Sequence, residues 1–143
     1  MTRRIAHAAQ IAALVLALAV APAALAAKSG GGNNTGGGAG NSLSLVTVTD
    51  NNGDGLPNWG DTVTFNVSTT VAYPMVQLLC SQGSTVVDSQ TVGFYVGWPW
   101  SQNFPLFHWY YWPSGGADCT ATLYYQTRKG NVTLARLPFQ VNA

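Results

Sequence analysis

Apolar and polar side chains alternate at period two through most of the chain after residue 42, and nowhere do they recur at helical spacing. Val, Thr, Tyr and Phe dominate the alternating stretches, as a pleated, half-buried surface requires. Residues 62–70 carry the clearest pattern: Val63, Phe65 and Val67 point one way, Thr64, Asn66 and Ser68 the other. Residues 43–49 form an earlier strand whose alternation slips between Leu45 and Val46, the mark of a bulge. Residues 75–81 put Val76, Leu78 and Cys80 on one face. Residues 85–92 follow the Gln82-Gly83 turn. Residues 118–126 align Cys119, Ala121, Leu123 and Tyr125. A further strand is expected within 101–107. A turn at Arg128-Lys129-Gly130-Asn131 leads to residues 132–142, where Pro138 argues for an edge position.

Seven or so short strands, with turn signals every eight to twelve residues, predict an all-β fold, an Ig-like β-sandwich. In that arrangement the third and penultimate strands are neighbours in one sheet. A Cys80–Cys119 bridge would therefore lie within a sheet or at its end, and would not join two sheets.

The pattern changes ahead of residue 42. Arg3 and Arg4 precede an unbroken apolar run from Ile11 to Val20, followed by Ala-rich residues with a small-residue cleavage site near Ala26. Residues 1–27 read as a secretory signal peptide. Ten apolar residues fall short of the roughly 20 that span a bilayer, so no membrane span is expected in the mature chain. Residues 28–41 contain no apolar side chain larger than alanine and read as a flexible Gly/Asn-rich linker. Residues 42–143 are then one domain, long enough for a modest core.

Composition narrows the partners. From Lys28 onward four basic side chains face five aspartates, and the chain has no glutamate. With no basic patch, nucleic acid is excluded as an expected partner. The cysteines Cys80 and Cys119 both lie in the exported part, where a disulfide is the default.

One stretch specifies a ligand. Between residues 50 and 61, Asp50, Asn52, Asp54, Asn58 and Asp61 occupy positions 1, 3, 5, 9 and 12 of a twelve-residue loop, with Gly55 at position 6. That is the spacing of an EF-hand calcium loop, in which Leu56 at position 7 offers its carbonyl. The predicted metal ligands are Asp50, Asn52, Asp54, Leu56, Asn58 and Asp61, around a structural Ca²⁺. Asp61 stands where Glu is usual, and strands flank the loop in place of helices. The competing reading is a polar turn in which Asp, Asn and Gly serve turn chemistry alone.

The run Asp50-x-Asn-Gly-Asp-Gly-x-x-x-x-Gly-Asp-Thr-Val-Thr-Phe65 resembles the opening of bacterial secreted Ig-like repeat domains. The likeness covers about 20 residues, Val46 to Phe65. It implies an extracellular module with structural or binding duties and implies no chemistry.

Residues 94–112 hold ten of the sixteen aromatic side chains. Alternation cannot turn all of them inward. Phe104 and Phe107 are assigned to the core. Trp98, Trp100, Trp109, Tyr110, Tyr111 and Trp112 are the candidate ligand-binding residues, either as a platform for sugar rings or as a protein-docking surface. The competing reading folds them over the sheet as a small core of their own. Catalysis has thin support: His108 is the one histidine after the signal segment, no nucleophile motif surrounds it, and the aspartates form no pair outside the loop. The chain is therefore read as no enzyme, a secreted structural or interaction module with an unknown protein or glycan partner. A carbohydrate-binding module is the alternative and a secreted hydrolase a distant third.

Overall fold

The computed structural model describes residues 40–143, so the signal-peptide reading of 1–27 and most of the 28–41 linker lie outside the described residues. Seven strands follow in chain order: β1 (Ser42–Thr49), β2 (Thr62–Ser68), β3 (Met75–Gln82), β4 (Thr85–Gly93), β5 (Phe104–Pro105), β6 (Ala117–Thr127) and β7 (Gly130–Val141). They form two antiparallel sheets, one ordered β1-β2-β5 and the other β4-β3-β6-β7. The all-β sandwich of about seven strands is the fold the alternation called for. The fourth strand lies on the sheet of β3, β6 and β7.

Alternation decides the core. Val63 and Phe65 of β2, Val76, Leu78 and Cys80 of β3, and Cys119, Ala121 and Leu123 of β6 are all buried between the sheets. Phe65, Phe104 and Phe139 meet edge to face across the interior, with Phe65 5.2 Å from Phe104 and 6.4 Å from Phe139. Cys80 and Cys119 sit directly opposite each other on β3 and β6 and are bonded, a bridge within one sheet. β7 is an edge strand, as Pro138 requires, because a proline can supply no ladder donor there.

Four local expectations are corrected. The irregularity in β1 falls between Thr47 and Thr49, so Val48 is the extra residue and the slip is not at Leu45. A second irregularity, between Leu123 and Tyr124, ends the shared face of β6: Tyr124 is buried and Tyr125 only partly so. The strand expected over 101–107 shrinks to Phe104–Pro105, paired with Val63 and Thr62. Phe107 is exposed; Leu106, two residues on from buried Phe104, takes the inward place.

Candidate functional site

The loop from Asp50 to Asp61 connects β1 to β2 at one end of the sandwich, and its carboxylates are turned on its own backbone. Asp50 accepts the Gly53 N–H at 2.7 Å and the Gly55 N–H at 2.8 Å, one on each oxygen. Gly55 has φ +75°, a left-handed turn that a side chain would strain. Asp61 is 1% exposed and accepts Asn51 N–H on one oxygen and Asn58 N–H on the other, both at 2.9 Å. Asp54 is exposed. Its Oδ1 accepts the Leu56 N–H at 2.8 Å, and that bond holds its carboxyl below the ordinary carboxylate range against a smaller opposing effect of desolvation.

The predicted ligands are brought together in part. Asn52 Oδ1, Asp54 Oδ1 and the Leu56 carbonyl all lie within hydrogen-bond reach of one atom, the buried Asn58 Nδ2, at 3.3, 2.9 and 3.0 Å. An amide donor thus stands at the point where positions 3, 5 and 7 converge. Asp50 and Asp61 point elsewhere. Among the described residues no three of His, Cys, Asp and Glu gather closely enough to hold a metal ion. The donor chemistry, all hard oxygen, suits Ca²⁺. A full shell would need the Asn58 amide turned to present its oxygen and both Asp50 and Asp61 swung inward.

The aromatic run does not form one cluster; the chain carries its two halves to opposite ends of the sandwich. Phe94 to Trp100 follow β4, where Phe94 N–H bonds the Pro74 carbonyl in the β2–β3 connection. There Tyr73, Tyr95, Trp98 and Trp100 meet successively edge to face, at 5.2, 5.5 and 4.9 Å. Trp98 is half-buried and Trp100 exposed. Gly93 makes room for them, since a Cβ there would overlap both Trp98 and Tyr95. The Trp98 indole N–H is enclosed and has no partner among the described residues.

The second half returns beside the Asp50–Asp61 loop. Leu106 donates its N–H to the Asp61 carbonyl at 2.8 Å and accepts Gly60 N–H at 3.0 Å. His108 and Trp112 then close a tight turn through reciprocal backbone bonds of 3.3 and 2.9 Å. The His108 Nδ1 accepts the N–H groups of Tyr110 and Tyr111 at 3.3 and 3.1 Å, which fills the turn from inside. Trp112 is fully buried, against its place among the ligand-binding candidates. Its indole N–H reaches the Gly115 carbonyl, and its own carbonyl accepts the indole N–H of Trp59 at 3.0 Å. It is the anchor of the turn. Trp109, Tyr110 and Tyr111 project from it, 81%, 66% and 65% exposed.

Sequence reasoning missed Trp59 and Leu106, the two residues that tie this turn to the loop. The signal available was local: Trp59 sits inside the loop motif, and Leu106 follows the alternation from Phe104. As for catalysis, the Nδ1 of His108 is occupied by the turn, and Asp118 receives the Gln140 amide at 3.2 Å. The titratable neighbour of His108 is Asp88, whose carboxyl is pushed above its ordinary value by burial. No family model, no curated protein and no solved structure matches the chain.

Proposed function

We propose that the domain is a small secreted interaction module that presents Trp109, Tyr110 and Tyr111 to an extracellular protein. One observation carries this reading: three consecutive large rings are exposed on a turn whose backbone is fixed by His108, Trp112 and Leu106. Exposed aromatic side chains with few rotatable bonds make contact area at low entropic cost, and a rigid backbone lowers that cost further. The disulfide and the likeness of residues 46–65 to bacterial secreted Ig-like repeats support the extracellular setting. Among the described residues no helix is long and apolar enough to cross a membrane.

Calcium belongs to the same proposal as a structural ion. Held by Asn52, Asp54 and the Leu56 carbonyl, with Asp50, Asn58 and Asp61 completing the shell, it would stiffen the loop that seats the aromatic turn. Melting in Ca²⁺ against EDTA tests it; identical midpoints would remove the ion from the proposal.

The carbohydrate alternative keeps one favourable observation, the Trp109 ring exposed and nearly parallel to His108 at 17°, a face on which a sugar could stack. Against it, Trp109–Tyr110 and Tyr110–Tyr111 stand at 64° and 89°, so no flat row of rings forms. The deciding experiment places a photo-crosslinking amino acid at Tyr110, with one at Gln126 on the opposite end as control. A discrete extracellular protein adduct from position 110 alone is expected. Absence of any adduct, with Trp109-dependent retention on a glycan array, would replace this reading by the carbohydrate one.

A further inference from the structure

Asp61 gives its carbonyl to Leu106 on the side of β2 away from β1. Strand residues two apart point their peptide groups to the same side. Val63, Phe65 and Val67 therefore share that edge. Val63 is paired with Phe104, but β5 ends there. At Gln102 the chain leaves the strand: its carbonyl takes the Thr64 hydroxyl at 2.7 Å, and its side-chain amide binds the Gly93 carbonyl at 2.9 Å. Phe65 and Val67 have no sheet partner on this side among the described residues.

An open groove of about 760 Å³ runs along this edge. Its lining comes from β2, from the β2–β3 connection up to Pro74, and from Phe94 to Val96 with Gln102. Val67, Val71 and Phe94, packed on the core, are left only partly covered beside it. No charged side chain lines it.

We propose that this groove binds an extended peptide segment of another protein, which adds a strand to β2 and continues the ladder that β5 begins. Unpaired backbone groups at alternate residues select a polypeptide, because a sugar or an acyl chain does not repeat N–H and C=O at strand spacing. Continuity with the existing β2–β5 ladder sets the line of the occupant. The uncharged walls select an uncharged segment with apolar side chains on the core side, where they would cover Val67, Val71 and Phe94. From Phe65 to Thr69 the edge is about 13 Å long, which takes four or five peptide residues. This surface is separate from the Trp109 turn, and its failure would leave that reading untouched.

The probe is the acetylated, amidated peptide SLSLVTVT, the sequence of β1, which already pairs with the other edge of β2. Amide exchange is followed by NMR on the full exported chain. The expected result is fast exchange at Phe65 and Val67 in the free protein and about tenfold slower exchange with peptide, as new backbone bonds form. Val67→Pro removes one donor at an edge position that tolerates proline, and should weaken binding about fivefold to tenfold. Val96→Lys alters only an exposed side chain and should weaken binding by obstructing the groove; it serves if Val67→Pro disturbs the fold. A peptide N-methylated at alternate residues should not bind. No added protection at millimolar peptide, or binding that survives both variants, would overturn the proposal. So would Phe65 and Val67 already protected in the free protein: independent of concentration, the cover is the protein's own preceding segment; dependent on it, a second copy.

Discussion

Asp61 is the carboxylate on which the loop depends, and its replacement separates a turn from an ion site. It is enclosed, and its two oxygens take the N–H groups of Asn51 and Asn58, both at 2.9 Å. Asp61→Asn keeps the volume and replaces one acceptor oxygen by an amide that can only donate. One backbone N–H then faces a donor, and the other bond loses its charge assistance. An unsatisfied buried donor costs about 1–3 kcal/mol, and a bond to a charged group contributes about 1.5–3 against about 1 for a neutral one. The two together come to about 1.5–5 kcal/mol. A domain of this size holds about 5–15 kcal/mol in all, so the loss is readily measured.

The control is Asp50→Asn. Asp50 also takes two N–H groups, from Gly53 and Gly55, but in exposed surroundings where water can substitute. About 0.5–1 kcal/mol is expected there. Denaturant unfolding in EDTA, followed by tryptophan fluorescence, gives both values without any ion. If Asp61→Asn loses no more than Asp50→Asn, the buried carboxylate does not organise the loop. Repeating the series with Ca²⁺ tests the ion directly. Calcium ligation predicts that wild type gains stability and that both variants gain much less.

Three further predictions follow from the same packing. Cys80→Ala with Cys119→Ala opens a loop of sequence separation 39 and should cost about 4 kcal/mol by the chain-entropy account, read as a lower denaturant midpoint. Trp112→Ala empties a fully buried site and should cost about 3–5 kcal/mol, whereas Trp109→Ala should stay within about 0.5 kcal/mol; equal losses would mean that Trp112 does not anchor the turn. Asp88→Asn should raise the melting temperature at pH 7, because burial, partly offset by the Gln90 amide, lifts the folded carboxyl above its ordinary value of 3.8. The contribution of Asp88 is then fully present below that value and lost as pH rises through the raised one, so the advantage of the variant should vanish below about pH 3.8.

Strands with a buried and an exposed face were legible because their alternation is the physical cause of their burial. Val63-Phe65 and Val76-Leu78-Cys80 could point nowhere else. The disulfide was legible for the same reason: Cys80 and Cys119 share inward parity on strands that pair. The segment 94–112 was not, since large rings at nearly every other position satisfy many partitions. What split it was Gly93, which lets Trp98 fold back on the strand, and β5, which carries the chain from one end of the sandwich to the other. Phe107, expected in the core, lies exposed because the period from Phe104 favours Leu106; at a strand end parity outweighs area.

The loop shows a different limit. A cation and a set of backbone N–H groups ask for the same oxygens at the same positions, so spacing alone cannot tell them apart. Burial adds a distinction between the members: Asp61 is enclosed while Asp54 is open to water. The enclosed member is also the one whose backbone carbonyl receives Leu106. Whatever stiffens Asp61 therefore stiffens Leu106, and with it the turn that displays Trp109, Tyr110 and Tyr111. The consequence of the loop lies in that coupling: a change at residue 61 should be felt at position 110, and the photo-crosslink from Tyr110 should weaken in Asp61→Asn even where the domain remains folded.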